Sequence, residues 1–126
     1  MNGAKLISGD MLGMNFKNIE VNGKFYTLFP PTIEKIAGAA YYLSDFVDFK
    51  EGSDLIRAMK NMKSASMALS WFVTEDESLA EEFSKGTIGD ITNGIEAALS
   101  MIDIENFRKL SVLAGNVARL TAKPKL

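Results

Sequence analysis

The feature that most constrains the fold is a hairpin signature over residues 16–29 that ends at two prolines. Two runs rich in β-branched and aromatic residues flank Asn22-Gly23. Asn-Gly is typical of a two-residue type I′ turn, because both central residues of that turn have positive φ. Pro30 and Pro31 cannot donate to a strand ladder, so the second strand has to end before them. The sequence therefore predicts one antiparallel hairpin and a change of structure directly after it.

The turn also predicts the register of the two strands. Counting outward from the turn pairs Val21 with Lys24, Ile19 with Tyr26 and Lys17 with Leu28. The apolar side chains that then share one face are Ile19, Val21, Tyr26 and Leu28. An isolated hairpin is marginally stable in water, so we expect this face to pack against the rest of the chain.

The chain beyond the prolines predicts a body of four to five helices over residues 32–120. A side chain suited to cap a helix precedes each stretch, namely Thr32, Ser53, Thr74, Thr87 and Asp103. Thr74 and Glu77 match a capping box for a short helix that ends near Lys85, with Gly86 at its C′ position. The other helices are predicted over residues 33–43, 54–73, 88–101 and 104–120.

Apolar residues recur at helical spacing along these stretches, and we expect the stripes to face a common core. In the first helix the stripe is Ile33, Ile36, Ala37, Ala40 and Leu43. In the helix over 88–101 it is Ile88, Ile91, Ile95, Ala98, Leu99 and Ile102. In the last helix it is Phe107, Leu110, Leu113, Ala114, Val117 and Leu120. The second half of the long helix is apolar on nearly every side, because Met67 and Trp71 lie opposite Leu69.

These elements define an α+β protein in which an N-terminal β-hairpin packs on a mostly helical body. The length of 126 residues is that of one domain. We expect residues 1–15 to form a flexible leader and residues 16–126 to form a single domain. Within that domain the predicted parts are the hairpin over 16–29, the helical body over 32–120 and a short tail over 121–126.

The composition excludes several kinds of chemistry. There is no cysteine, so disulfides, thiolate nucleophiles and zinc–thiolate sites cannot form. There is no histidine, which removes the commonest general base and rules out a Ser-His-Asp triad. The net charge is −2 without a concentrated basic segment, so we expect no nucleic-acid partner. No apolar run reaches the length of a membrane span and the N-terminus is a poor signal peptide, so we expect a cytoplasmic protein.

Carboxylates offer the remaining candidates for a chemical site. The acidic run Glu75-Asp-Glu77 lacks the dense, glycine-punctuated oxygen spacing of a hard-cation loop. Asp45 and Asp48 lie close in sequence, but nothing in the pattern places them in an apolar pocket. Gly86-Thr-Ile-Gly89 lacks the Gly-Lys-Ser/Thr ending of a P-loop. We therefore predict no catalytic, cofactor-binding or metal-binding residues, no small-molecule substrate and no enzymatic activity.

The methionines and the tryptophan of the long helix indicate a different kind of site. Methionine adapts its shape to varied partners, which suits a protein-binding surface. The residues that we expect to contact a partner are Met59, Met62, Met67, Trp71 and Phe72. The competing interpretation is a central helix that is buried on both sides, and it is favoured because tryptophan is usually well buried.

The stretch Ile19-Glu-Val-Asn-Gly-Lys-Phe-Tyr-Thr-Leu-Phe-Pro-Pro-Thr-Ile-Glu-Lys-Ile36 resembles the start of tail assembly chaperones of long-tailed phages and prophages. Those proteins commonly open with a short strand, an Asn-Gly or Gly-Gly turn and a Lys-x-Tyr-x-Leu strand. A Pro-x-Thr step into the first helix and a small helical body follow. The later Gly86-Thr87 step between two helices is similar to the punctuation of the group. The resemblance is carried mainly by residues 16–36.

The resemblance implies a chaperone that coats the long, hydrophobic tape measure protein, keeps it soluble and helps tail tube subunits polymerise around it. It also implies a homo-oligomer in the cytoplasm of a bacterial host, with no active-site motif. A second hypothesis is another structural or adaptor protein, such as a virion component, that pairs through an open hairpin edge. A third is an enzyme that uses only carboxylates and lysines.

Overall fold

The computed structural model describes residues 15–44, residue 46 and residues 55–121. The predicted leader, apart from Asn15, lies outside the described residues, as do the predicted tail beyond Thr121, the Ser53 cap and the carboxylates Asp45 and Asp48. The described part of the chain is α+β, with an N-terminal hairpin followed by five helices. The fold class predicted from the sequence is confirmed.

The hairpin consists of β1 (Lys17–Val21) and β2 (Lys24–Leu28), which are antiparallel. Asn22 and Gly23 have φ of 54° and 75°, as a type I′ turn requires. The predicted register is confirmed, since Val21 pairs with Lys24 and Ile19 with Tyr26. Ile19, Val21 and Leu28 are buried and Tyr26 packs against the core, so the predicted inner face is also confirmed.

The helices are α1 (Ile33–Leu43), α2 (Leu55–Thr74), α3 (Ala80–Phe83), α4 (Ile88–Ser100) and α5 (Ile104–Thr121). The backbone N–H of Lys35 donates to Thr32 Oγ1 at 3.2 Å, which confirms the first predicted cap. At the start of α4, Thr87 and Asp90 bond reciprocally in a capping box. These polar residues satisfy backbone N–H groups that have no partner inside the helix, so they fix where each helix begins.

The core surrounds α2, which contacts α1, α3, α4 and β2. Its residues Ala68, Leu69 and Ser70 are fully buried, because helices or the hairpin cover these sides of α2. The other buried apolar residues come from the hairpin and from the helices around α2: Ile19, Val21, Leu28, Ala39, Phe83, Ile91 and Ala98. This core is closed by the hairpin and by α1 to α4.

Two predicted stripes are wrong in part. In α1 the buried residue is Ala39, whereas Ile33 is 86% exposed and Ala37 and Ala40 are also exposed. The reason is a close contact at Gly38, where an added Cβ would overlap the Trp71 ring of α2. The indole occupies this side of α1, so Ile33, Ala37 and Ala40 face solvent. The predicted residues Ile36 and Leu43 pack against the edge of the core.

In α4, Ile91 and Ala98 are buried as predicted, but Ile88 and Leu99 are exposed. Gly94 determines which side of α4 faces α2, because a Cβ there would lie 2.8 Å from Leu69 Cδ2. The approach of the two helices at this glycine turns the ends of the predicted stripe toward solvent.

The predicted capping box at Thr74 and Glu77 is wrong. Thr74 is the last residue of α2, and Glu75 follows it with a φ of 70°, a left-handed conformation that ends the helix. Thr74 Oγ1 donates to the Ser70 carbonyl and bonds Asp76 Oδ1, so it does not cap α3. The helix α3 spans only Ala80–Phe83, and its N-cap Leu79 has no side-chain cap bond.

The tip of the hairpin is bonded to the helices beneath it. The Asn22 backbone N–H donates to Asp90 Oδ2, and the Asn22 side chain donates to Glu82 Oε2, each at 3.1 Å. Lys24 Nζ lies 3.0 Å from the same Glu82 oxygen. The hydrogen bond between Lys24 and Glu82 lowers the pKa of Glu82 and raises the pKa of Lys24. The hydrogen bond from the Asn22 backbone N–H lowers the pKa of Asp90. Gly86 fits below the turn, since a Cβ there would lie 2.8 Å from Val21 Cγ1.

A candidate protein-binding surface on the last helix

The helix α5 begins directly after α4, at a cap that the sequence predicted. Asp103 Oδ1 accepts from the backbone N–H of Asn106 at 3.0 Å. The helix is 18 residues long, or about 27 Å at 1.5 Å per residue. Its charged residues Glu105 and Arg108 pair with one another at 2.6 Å on the solvent side.

The predicted apolar stripe of α5 exists, but it does not enter the core. No residue of α5 is buried. The large apolar residues of the stripe and their exposed fractions are Phe107 65%, Leu110 64%, Leu113 52%, Val117 57% and Leu120 85%. The expectation that this stripe faces the common core is therefore wrong, because α1 to α4 and the hairpin already close that core. We call this stripe the α5 apolar face.

The α5 apolar face is as large as the largest apolar patch on a typical monomeric protein. An aromatic side chain such as Phe107 has roughly 150–250 Å² of surface and the four Leu and Val side chains have less, so at 52–85% exposure the five together present on the order of 500 Å². The largest apolar patch on a typical monomer is about 300–600 Å² and is often functional. The α5 apolar face is thus the strongest candidate for a binding surface in the described part of the chain.

The five residues predicted to contact a partner do not form one patch. Met59 is 57% exposed, whereas Phe72 is 2% exposed in the core. Trp71 lies against Gly38, and its indole Nε1 is buried without a hydrogen-bond partner among the described residues. Met62 and Met67 are half-buried. The Trp71 ring thus packs between α1 and α2.

A partner-binding role for these five residues stays a prediction. Met59 is the one whose side chain is accessible enough to contact a partner without rearrangement of the body. It lies on the exposed side of α2 near Ile56, which is 82% exposed.

A second candidate is a shallow groove of about 270 Å³ lined by Asn15, Phe16, Lys17, Pro30, Ser100 and Met101. Lys17 Nζ donates to Ser100 Oγ at 2.5 Å, and Ser100 Oγ donates to the Ala97 carbonyl at 2.7 Å. Both side chains are exposed, so this contact is a surface hydrogen bond.

Among the residues that the structure describes, no group of three or more acidic side chains is placed to hold a metal ion. None of the helices in the described ranges has the length and apolarity needed to cross a bilayer. Comparisons of the chain with protein-family models, with curated proteins and with solved structures find no match.

Proposed function

We propose that this protein is a non-catalytic protein-binding module of the tail assembly chaperone kind. In this role it holds apolar helical segments of a tape measure protein in the cytoplasm of a bacterial host and helps tail tube subunits assemble. The observation that carries the proposal is the α5 apolar face. The choice of the tape measure protein as the client comes from the resemblance of residues 16–36 to such chaperones.

The chemistry of the α5 apolar face suits a client of this class. An amphipathic or apolar helix binds through side chains spaced three and four residues apart, and α5 presents its apolar residues at that spacing. Glu105, Arg108 and Arg119 lie on the other side of the helix, and Lys109 lies at the edge of the face, one turn before Leu113. The ammonium group of Lys109 can stay in water while its apolar stem lines the face. A hydrophobic segment can therefore bind there without burying an unpaired charge.

The proposal is tested by co-expression with fragments of a phage tape measure protein. We expect the wild-type chain to keep the fragment in the soluble fraction and to co-purify with it. Val117→Glu should abolish both effects, because it places a charge on the α5 apolar face. Val112→Glu is the matched control, since Val112 is also 57% exposed but lies on the opposite side of α5.

Equal loss with both variants, or no loss with either, would contradict the proposal. Gene order gives a further check, because a tape measure gene just downstream supports the chaperone and its absence counts strongly against it.

The hairpin supports a second candidate, a structural or adaptor protein that pairs through a strand edge. The sheet described here has two strands, so each strand has one edge that the other does not cover. Phe25 on β2 is 71% exposed beside such an edge. A partner strand would bind there by backbone hydrogen bonds, which a charge on α5 would not disturb.

A further inference from the structure

The helix α5 is not well stabilised by its own sequence. It contains Gly115, Asn116 and the β-branched residues Val112 and Val117, all of which have lower helix propensity than alanine or leucine. In proteins, most of the stability of a helix comes from the packing of its amphipathic face. A covering partner for the α5 apolar face therefore stabilises the helix as well as hiding the apolar surface from water.

The area of the face suits a weak dimer. If two copies cover each other's α5 apolar faces, they bury at most about 1,000 Å² in total, which is the size of a weak or transient interface. An interface of this size suits an association that a client can displace.

The distribution of side-chain sizes along α5 favours an antiparallel arrangement. Phe107 and Leu120 lie near the two ends of the face, and Leu113 and Ala114 lie at its middle. An antiparallel pair centred there brings the large Leu113 of one copy against the small Ala114 of the other. A parallel pair would place Ala114 against Ala114 and leave a gap, and it would also align the two helix dipoles.

From these observations we propose that, without a client, two copies of the chain pair through their α5 apolar faces in an antiparallel, two-fold symmetric contact. The same patch is used on both copies, so the contact closes on itself and gives a dimer rather than a filament. The pairing involves the same face as the proposed function, and client binding then competes with dimer formation.

Sedimentation velocity over a dilution series of the chain alone tests the pairing. We expect a concentration-dependent monomer–dimer equilibrium for the wild type. Val117→Glu should weaken it at least tenfold, and Val112→Glu should leave it unchanged. Circular dichroism checks that both variants keep the helical body. A chain that stays monomeric at high concentration, or a dimer that Val117→Glu does not weaken, overturns the proposal.

Single-cysteine cross-linking locates the contact, because the natural chain has no cysteine. A disulfide needs Cα atoms within about 7 Å. In the antiparallel pair Leu113→Cys should form a covalent dimer on oxidation, whereas Leu120→Cys and the off-face Val112→Cys should not. Efficient cross-linking of Leu120→Cys, or none of Leu113→Cys, would overturn the antiparallel arrangement.

These results are separable from those on the proposed function, since no client is present. A dimer that fails to solubilise any tape measure fragment supports the pairing and counts against the chaperone. A monomer that solubilises the fragment through α5 supports the chaperone and counts against the pairing.

Discussion

The single residue Gly38 determines how α1 packs against α2. The Trp71 ring lies where a Cβ of residue 38 would be, so only glycine fits without a shift of the ring or of the helix. The aromatic ring cannot bend away as a flexible side chain can. The sequence shows neither this contact nor its partner, because the two residues are 33 positions apart and meet only through tertiary packing.

Gly38→Ala should therefore destabilise the protein. Overpacking of a well-packed contact costs about 1–3 kcal/mol, and we expect a loss of that size in the free energy of unfolding from urea denaturation followed by circular dichroism. Gly115→Ala is the matched control in α5, where nothing lies within 4 Å of the added Cβ. It should leave the stability of the body unchanged and increase the helix content. Equal unfolding midpoints for Gly38→Ala and the wild type would show that the ring moves aside at no cost.

Ser70 organises the element that joins α2 to α3. It is fully buried, and its Oγ donates to the Asp76 carbonyl at 2.7 Å while accepting from the Leu79 N–H at 3.0 Å. Ser70 thus connects two backbone groups of the turn, and its bond to the Leu79 N–H compensates for the missing side-chain cap of α3. The pattern Thr74 to Glu77 matched a capping box, but Thr74 bonds backward to α2, and local spacing cannot show which of two partners a hydroxyl takes.

Ser70→Ala should cost about 1–3 kcal/mol, because it removes the acceptor of the Leu79 N–H and one of the two hydroxyls that donate to the Asp76 carbonyl. Ser66→Ala is the control on the same helix, at 3% exposure, where the hydroxyl bonds only the Met62 carbonyl one turn back. We expect a change of less than about 0.5 kcal/mol for Ser66→Ala, since that carbonyl already accepts a helical hydrogen bond. Similar unfolding free energies for the two variants would contradict the bridging role of Ser70.

The elements differ in how far their sequence predicts them. The hairpin, its register and its inner face follow from Asn22-Gly23, because a type I′ turn fixes all three locally. The bounds of α1 and the caps Thr32, Thr87 and Asp103 are local as well. The side that each helix buries is not local, since it depends on the close contacts at Gly38 and Gly94.

Whether the apolar stripe of α5 faces the core depends on the packing of the whole molecule. The stripe of α5 is visible in the sequence, but an amphipathic helix looks the same whether its apolar side faces its own core or another protein. The hairpin and α1 to α4 bury a core that needs no further element, which leaves the α5 apolar face uncovered. In contrast, two of the α2 residues that we expected to contact a partner pack in or against that core, namely Trp71 and Phe72.

In the proposed function α5 binds the partner, whereas the hairpin edge and the exposed side of α2 do not. The most direct measurement is amide hydrogen exchange by mass spectrometry, on the chain free at a concentration where it is monomeric and on its complex with a tape measure fragment. We expect residues 104–121 to exchange fast in the free chain and to gain protection in the complex, while β1, β2 and the region around Met59 are unchanged. Protection gained along a hairpin edge or around Met59, with α5 unaffected, would contradict the proposed function.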